Sequence, residues 1–247
     1  MNHFFVQEEN INEEGIRIDD PRDVNHIGHV LRMRPGEMVS ISVEGRDREY
    51  VCRIDSISDD RVHTRIEDIN DLSRELPVEI TLYQGLPKGD KMEMVIQKAV
   101  ELGAVRIVPV STKRTVVKLD AKRAAKKTAR WNEIAKSAAK QSKRRIIPQV
   151  SDVMSYGDAV SDGQKLDMLL IPYEEAEGMA KAREAVSQVR GKKSLGIYIG
   201  PEGGFEPSEV ELAQKAGARA ITLGHRILRT ETAGMMLLSV IGFALEE

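Results

Sequence analysis

Two short apolar runs, each ending at a glycine, constrain the fold of this chain more than any other feature. Leu195–Ile199 precedes Gly200, and Ala220–Leu223 precedes Gly224. Runs of this length and composition are typical of buried parallel strands. Between them, Ser208–Ala218 carries apolar residues at helical spacing and predicts a helix. The order strand, loop, helix, strand, loop indicates an open α/β sheet, which binds ligands at the carboxyl ends of its strands.

The loop after the first of these strands disfavours the common nucleotide-binding motifs. Residues 200–204 read Gly-Pro-Glu-Gly-Gly, which is neither Gly-x-Gly-x-x-Gly nor Gly-Lys-Ser/Thr. A nicotinamide-dependent oxidoreductase is therefore a weak alternative. Glycines here could serve only as tight turns, or they could let backbone approach a ligand closely. Because two such loops occur, with Arg229 and Glu231 beside an apolar helix, a binding crevice is favoured.

Two longer motifs connect the chain to a known family. Ile199–Phe205 reads Ile-Gly-Pro-Glu-Gly-Gly-Phe, and Leu223–Ala233 reads Leu-Gly-His-Arg-Ile-Leu-Arg-Thr-Glu-Thr-Ala, with Glu209-Val210 between them. Together they closely resemble the bacterial small-subunit ribosomal RNA uridine-N3 methyltransferases, which belong to the SPOUT class of S-adenosylmethionine-dependent enzymes. The resemblance covers nearly the whole chain. It implies an α/β fold with a SPOUT-type parallel sheet and a deep trefoil knot, and a homodimer whose two subunits build each site.

The resemblance also implies which residues hold the cofactor. Backbone groups of the two loops would surround the adenine, with Leu223, Ile227 and Leu228 as apolar walls. No metal is needed. The residues that we predict to contact S-adenosyl-L-methionine are Ile171, Pro172, Ile199, Gly200, Pro201, Glu202, Gly203, Gly204, Leu223, Gly224, Ile227, Leu228, Arg229 and Thr230.

The chemistry of this reaction suggests three catalytic residues. Uridine N3 carries a proton at neutral pH and is a poor nucleophile until that proton leaves. A cation should stabilise the charge that develops on the uracil oxygens, and a base or a water path should take the proton. Arg229 is the predicted cation, because it lies where the second loop meets the final helix. Glu202 and Glu231 are the candidate bases. Glu231 is equally well explained as an acidic residue in the first turn of the final helix, where it would stabilise the helix dipole.

The net charge of −2 conceals a strong asymmetry. Residues 1–72 carry 17 acidic and 9 basic side chains, whereas residues 113–145 carry 13 basic and 2 acidic ones. The basic block is either a solvated helix face or an electrostatic footprint for nucleic acid, and its density favours RNA. With the family resemblance, the predicted RNA contacts are Arg17, His29, Arg32, Arg34, Lys88, Lys113, Arg114, Arg130, Gln141 and Arg144.

The order of elements predicts two domains. Residues 1–72 read as short strands, including a hairpin of Met38–Val43 and Arg48–Ile54, with one helix at Asp23–Met33. This pattern predicts a small β-barrel. His29-Val-Leu-Arg32 resembles the family's PUA-like RNA-binding domain. His26 and His29 could ligate a metal, but no third ligand is near in the sequence, so packing or capping explains them better.

Residues 73–247 form the predicted methyltransferase domain. Strands at Val78–Gly85 and Val105–Val110 flank a helix that ends at Leu102, which predicts a parallel βαβ unit. Asp90 with Glu93 resembles a capping box for that helix. Residues 150–160 read as a polar connector.

Three helices of this domain have distinct surfaces. Asp120–Lys143 predicts a basic helix anchored by Trp131, and Ala176–Val189 predicts a surface helix. The final helix, Glu231–Leu245, is apolar nearly all round, which predicts burial on several sides. Since its exposure would leave a large apolar patch, we predict a homodimer contact near Met235, Leu238 or Phe243.

Several protein classes are disfavoured by composition. The single cysteine, Cys52, cannot form a disulfide within the chain. The first ten residues do not resemble a signal peptide, and the longest apolar stretch, residues 233–245, is shorter than the roughly 20 residues that a membrane span needs. We therefore expect a cytoplasmic protein without a membrane partner, acting on ribosomal RNA or the assembled small subunit. The alternative is a ribosome-assembly factor that binds RNA without catalysis.

Overall fold

The computed structural model describes residues 1–71, 73–176 and 178–246. Three predicted features extend beyond these ranges: the domain boundary at residue 72, part of the helix predicted over residues 176–189, and the domain end at residue 247. The chain divides into two compact units. The first unit contains Met1–Glu75 and Ala139–Ile147, and the second contains Leu76–Ala138 and Pro148–Glu247.

The described residues of the first unit form a six-stranded, mostly antiparallel sheet. Its strands are β1 (Asn2–Val6), β2 (Ile11–Asn12), β3 (Gly15–Ile18), β4 (Met38–Val43), β5 (Glu49–Ile57) and β6 (Val62–Asn70). Their spatial order is β1-β4-β5-β6-β3-β2, and β1 pairs with β4 in parallel. Since β1 and β2 form its two edges, the sheet is open where the sequence predicts a barrel.

The predicted hairpin is confirmed by β4 and β5, which pair in antiparallel. Val39 lies opposite Cys52, and Ile41 lies opposite Tyr50. All four side chains are buried, so this hairpin supplies much of the core of the first unit. The thiol of Cys52 is part of that core.

The helix predicted over residues 23–33 is shorter and begins earlier. Helix α1 (Pro21–Asn25) starts where the Asp20 carboxylate accepts a hydrogen bond from the backbone N–H of Arg22, with proline at the first helical position. A π-helical turn follows at His26–Val30. Arg32 then takes a left-handed conformation with φ of 52°, which ends the helical segment. A short 3-10 turn lies at Glu8–Asn10.

The described residues of the second unit form a seven-stranded sheet in which every pair of strands is parallel. The strands are β7 (Glu79–Gly85), β8 (Ala104–Ser111), β9 (Gln149–Val150), β10 (Met154–Ser155), β11 (Met168–Pro172), β12 (Ser194–Ile199) and β13 (Arg219–Ile221). Their order is β10-β8-β7-β12-β11-β13, with β9 beside β8. The predicted parallel α/β sheet is confirmed.

Six helices are assigned in the described part of the chain from residue 76 onward. They are α2 (Lys91–Glu101), α3 (Ala121–Ser142), α4 (Tyr156–Gly163), α5 (Met179–Ser187), α6 (Pro207–Lys215) and α7 (Thr230–Leu245). Strands β7 and β8 are neighbours joined through α2, as the predicted βαβ unit requires. Trp131 is buried and anchors α3, as predicted. No helix among these residues is long and apolar enough to cross a membrane.

Two local predictions in this unit are wrong. Asp90 makes no side-chain hydrogen bond to the start of α2, and the Glu93 carboxylate is bound by Arg130, so the predicted capping box does not form. Residues 150–160 are not a connector, since they include β10 and the start of α4. Ser155 caps α4 by accepting a hydrogen bond from the backbone N–H of Asp158.

Helix α7 is buried on one face and exposed on another. Gly234, Leu237 and Ile241 are buried, whereas the Phe243 side chain is 87% exposed. Leu238, which the sequence suggested as a dimer contact, is only 1% exposed within the single chain. It therefore packs in the core of its own protomer, and the exposed apolar surface of this helix is narrower than predicted.

Candidate functional site

A cleft of about 940 Å³ lies at the carboxyl edge of the parallel sheet. It is enclosed by residues that follow β11 and by two loops, which we name the glycine loop (residues 200–206) and the arginine loop (residues 222–229). Every residue that we predicted to contact the cofactor lines this cleft except Ile171. Ile171 is fully buried in β11 and belongs to the core.

Close backbone packing forms the glycine loop. A Cβ atom on Gly85, at the end of β7, would lie 2.6 Å from the nitrogen of Pro201. A Cβ atom on Gly200 would lie 3.0 Å from the carbonyl carbon of Gly204. The backbone N–H of Gly204 donates to the carbonyl of Pro201 at 2.9 Å, which closes a tight turn. These glycines are therefore required by the loop itself, before any ligand is considered.

Thr230 links the two loops. Its hydroxyl donates to the carbonyl of Gly200 at 2.5 Å and accepts from the side-chain amide of Gln84 at 2.8 Å. Gln84 is buried at the end of β7, and its amide also donates to the carbonyl of Gly85. Gly200 and Gln84 follow or end the central strands β12 and β7, whereas β13 lies at the edge of the sheet. The segment from β13 to Thr230 therefore carries the chain from the edge back to the centre of the sheet.

Lys91 holds both carboxylates that were predicted as bases. Its ammonium nitrogen lies 3.1 Å from Glu202 Oε1 and 3.5 Å from Glu231 Oε2. Glu202 also accepts from the backbone N–H of Lys88 at 3.0 Å. The hydrogen bond to Glu202, with the charge of Glu231, raises the pKa of Lys91. Sequence reasoning missed Lys91, because its partners lie more than a hundred residues away along the chain.

The two carboxylates differ in their exposure to the cleft. Glu202 lines it, and partial burial acts to raise the pKa of this carboxyl. Hydrogen bonds from its own N–H, from the Lys88 N–H and from Lys91 more than offset that effect, so the pKa lies below its ordinary value. Glu231 is not among the residues that line the cleft, and its side chain is only 11% exposed. Glu231 therefore supports the start of α7 instead of facing the cleft.

The arginine loop presents basic side chains that have no partner among the described residues. His225, Arg226 and Arg229 are exposed and line the cleft. Within the ranges that the structure describes, none of their side chains forms a hydrogen bond or an ion pair with the protein. Ile227 between them is 89% exposed. This loop therefore offers both positive charge and apolar surface to an anionic or aromatic ligand.

Many of the predicted RNA contacts are engaged within their own unit. In the second unit, Arg130 binds Glu93, Arg114 binds Glu206 and Lys113 binds Ser208. In the first unit, Arg17 pairs with Asp19. The other exposed members of the predicted set are His29, Arg32, Arg34, Lys88 and Gln141.

Arg144 does not fit the prediction of a direct RNA contact. Its side chain is only 5% exposed and is bound by the Glu75 carboxylate, so it is not available to a phosphate. Among the residues described, no group of three or more His, Cys, Asp or Glu side chains could hold a metal ion.

Comparison with known proteins identifies the family. A family model described as an RNA methyltransferase domain matches residues 74–242, and a second, described as an RNA methyltransferase PUA domain, matches residues 18–67. The ribosomal RNA small subunit methyltransferase E of Bacillus subtilis is 39% identical over 251 aligned residues, covering 100% of this chain and 98% of that protein.

Two solved structures are also similar along almost the whole chain. The ribosomal RNA small subunit methyltransferase E of Neisseria gonorrhoeae, bound to S-adenosylmethionine, is 33% identical with a TM-score of 0.82 and covers 97% of this chain and 95% of that one. A Legionella pneumophila protein that carries bound S-adenosylmethionine is 32% identical with a TM-score of 0.84 and covers 99% and 98%. With its cleft, its two matched family models and these relatives, the chain belongs to the RNA methyltransferase family, in the group of ribosomal RNA small subunit methyltransferase E.

Proposed function

We propose that the protein transfers the methyl group of S-adenosylmethionine to N3 of a uridine in small-subunit ribosomal RNA. The observation that carries this proposal is the cleft between the glycine loop and the arginine loop, which combines backbone groups, apolar walls and an exposed arginine. Relatives that share the fold bind S-adenosylmethionine or are named for the methylation of small-subunit ribosomal RNA.

The residues of the cleft suit this cofactor. Gly204 and Gly224 have φ of 68° and 107°, and a Cβ atom on either would meet no other atom within 4 Å. Their backbone is thus open to close approach. Ile199, Leu223 and Leu228 supply apolar surface for a purine ring, while backbone N–H and C=O groups are suited to its polar edge. When bound, S-adenosylmethionine supplies a methyl group already activated by its sulfonium sulfur.

Arg229 is the residue that we assign to charge stabilisation. It is exposed in the cleft and free of protein partners among the described residues, so its guanidinium can donate to a uracil carbonyl oxygen. A donor placed where negative charge develops in the transition state stabilises that charge. This donation would lower the free energy needed to remove the N3 proton.

The carboxylates have supporting parts in this proposal. Glu202 is ionised and bound by Lys91 and by the backbone of Lys88, so it holds the glycine loop and is a weak base. Glu231 is bound by Lys91 away from the cleft lining. We therefore assign the departing N3 proton to solvent water, and Glu202 and Glu231 to positioning Lys91 and the loop.

We assign the RNA contacts to exposed basic side chains that bind no protein group among the described residues. We propose a PUA-like domain over residues 1–72, with His29, Arg32 and Arg34 exposed at its surface, and a methyltransferase domain over residues 73–247. On the basic segment, the exposed lysines that bind no protein group among the described residues are Lys118, Lys122, Lys126 and Lys143. Replacing Lys118, Lys122 and Lys126 by alanine should lower the dependence of RNA affinity on salt by roughly 1 for each phosphate that the protein no longer binds.

We further propose a trefoil knot and a homodimer. The return of the chain from edge strand β13 to Thr230, which bonds Gly200 at the centre of the sheet, supports threading through the glycine loop. If the chain is knotted, the contour length of the unfolded chain measured by mechanical stretching should be shorter than that expected for an unknotted chain of the same number of residues. For the dimer, the support is the exposed Phe243 on α7. Light scattering should give twice the monomer mass for the wild type and less for Phe243→Ser.

The function is tested with purified protein, labelled S-adenosylmethionine and small-subunit RNA. The RNA is supplied either free or as assembled small subunits isolated from a cytoplasmic extract. We expect methyl incorporation, and nucleoside mass spectrometry should identify 3-methyluridine. RNA binding without methyl incorporation would support an assembly factor instead. Methylation at another atom would leave the enzyme class intact and refute the N3 assignment.

A further inference from the structure

The start of the basic segment is bound to the glycine loop. Arg114 donates through Nη1 to the carbonyl of Gly203 at 2.8 Å and through Nε to Glu206 Oε1 at 2.7 Å. These contacts join positions about ninety residues apart in the chain. One guanidinium therefore holds the loop backbone and the residue that precedes α6 at the same time.

Lys113 makes a second attachment beside Arg114. Its backbone N–H donates to Glu209 Oε1 at 2.8 Å, and its ammonium donates to Ser208 at 2.8 Å. Glu209 is buried, and its other oxygen accepts from the backbone N–H of Glu206 at 2.9 Å, as part of a capping box. Residues 113 and 114 are thus fastened to the first turn of α6 through groups that also fix the end of the glycine loop.

The aliphatic part of Arg114 also packs on the loop. A Cβ atom on Gly203 would lie 3.3 Å from the Arg114 Cβ atom and 3.5 Å from its Cδ atom, so the arginine side chain covers the Gly203 backbone closely. The segment itself is held by a turn in which the backbone N–H of Thr112 donates to the Thr115 hydroxyl at 3.0 Å. The arginine is therefore presented by a closed turn instead of a free end.

We propose that Arg114 is a positioning residue for the cofactor, acting through the carbonyl of Gly203, and not primarily a contact to RNA as its basic surroundings suggest. Fixing this carbonyl fixes the peptide between Gly203 and Gly204, both of which line the cleft. The loop then presents its cleft-facing backbone in one orientation, so that less conformational entropy is lost when a ligand binds. This inference rests on the proposed function.

The charges of the pair do not change near neutral pH. The hydrogen bond from Arg114 lowers the pKa of Glu206, and the same bond raises the pKa of Arg114. Both groups are therefore charged throughout the neutral range, and the attachment does not depend on small changes of pH.

The test compares Arg114→Ala, Arg114→Lys and Glu206→Gln with the wild type. The dissociation constant of S-adenosylhomocysteine is measured by calorimetry, and the KM values for cofactor and RNA by methylation kinetics. We expect Arg114→Ala to weaken cofactor binding and raise its KM about tenfold or more, with the KM for RNA unchanged. Lysine should restore part of the affinity, because one ammonium cannot bridge both acceptors in the same way.

A matched control and a second variant separate positioning from folding. Arg219→Ala removes another exposed arginine of this unit, one that donates to Gln188 at the end of α5, and should leave all constants unchanged. Glu206→Gln keeps the bond to Gly203 and should weaken cofactor binding only two- to fivefold, at an unchanged melting temperature. If Arg114→Ala does not fold, Glu206→Gln and Arg114→Lys carry the test.

The outcomes distinguish the inference from the proposed function. If the wild type binds no cofactor, the proposed function fails and the inference fails with it. If the wild type binds but all three variants bind equally well, only the inference is overturned. A raised KM for RNA with an unchanged KM for cofactor would return Arg114 to the set of RNA contacts.

Discussion

The two loops that enclose the cleft are held in different ways. The glycine loop is fixed by Arg114 at Gly203, by Thr230 at Gly200, and by Lys88 and Lys91 at Glu202. The arginine loop is held mainly by bonds within itself, between Thr222 and Gly224. Its side chains at residues 225–227 are exposed.

The difference in attachment indicates that the glycine loop and the arginine loop have different functions. A loop attached at several points presents its backbone in one conformation, which suits a small ligand that must be held in a fixed orientation. A loop whose arginines have no partner among the described residues, and whose isoleucine is exposed, can accept contacts from a larger molecule. We therefore expect substitutions in the glycine loop to act on cofactor affinity, and substitutions of the exposed Arg226 and Arg229 in the arginine loop to act on macromolecular contacts or on the methyl transfer rate.

The largest effect is expected from Arg229→Ala. Loss of one donor to developing negative charge typically costs about a hundredfold or more in rate. Single-turnover methylation at saturating RNA and cofactor should show this loss, while both affinities stay near the wild-type values. Arg226→Ala is the neighbouring comparison, and a similar loss there would assign the effect to the loop as a whole. A wild-type rate for Arg229→Ala would remove it from the catalytic set.

Gly85→Ala should produce the next largest effect. The new Cβ atom would lie 2.6 Å from the backbone nitrogen of Pro201, so the glycine loop must shift. Overpacking of this kind costs about 1–3 kcal/mol. Because displacement of the glycine loop relieves this cost and cofactor binding would restore it, we expect cofactor affinity to fall by up to the corresponding factor, roughly 5- to 150-fold. Gly157→Ala is the control, because a Cβ atom in that helical position would meet nothing within 4 Å. Equal affinities for the two variants would show that the loop tolerates displacement.

Gly224→Ala should have a smaller effect, although its φ of 107° disfavours any side chain. The arginine loop has few attachments, so it can relieve part of this strain by moving, and a Cβ atom there would find open space. We expect cofactor affinity to fall less than about tenfold. The cofactor dissociation constants of Gly224→Ala and Gly85→Ala are compared by calorimetry. A greater loss of affinity for Gly224→Ala would show that the arginine loop, and not the glycine loop, is the more rigid of the two.

Lys91→Gln should give the smallest effect at neutral pH and a larger one in acid. Lys91 is one of the groups that lower the pKa of Glu202, so its loss raises that pKa. A carboxylate with a depressed pKa contributes stability above its unfolded pKa and loses it as pH falls through its folded pKa. The acid-side decline of cofactor affinity should therefore move to higher pH in the variant. A decline at the same pH would show that Lys88 and the loop backbone alone set the ionisation of Glu202.

Local patterns were enough to predict which continuous stretches of the chain line the cleft. The glycine loop, the arginine loop and Arg229 follow from two strands that end at glycine and from the motif after Leu223, and all of them line the cleft. The partners of charged residues were not predictable in the same way. Lys91 meets Glu231, and Arg144 meets Glu75, only because the fold brings distant segments together.

The prediction for residues 150–160 failed for another reason. The buried residues of α4 are Tyr156, Ala159, Val160 and Gly163, and four positions are too few to distinguish a short helix from a connector. Its start depends on one serine cap, Ser155, whose effect is visible only when the backbone N–H that it binds is known. Leu238 was misassigned because an apolar helix does not indicate which of its faces the protomer itself covers.

The division of the first unit into two stretches of chain has a consequence for its folding during synthesis. Arg145 is fully buried there, and it donates to the carbonyl of Asn70 at 2.5 Å and to that of Asp47 at 3.3 Å. Lys140 binds the carboxylate of Asp23. Neither cation has been synthesised when residue 75 is added to the chain. At roughly 5–20 residues per second, the ribosome adds the intervening stretch in several seconds. During that interval the sheet that emerges first lacks its buried arginine, so the amino-terminal unit reaches its full stability only after more than half of the polypeptide has been made.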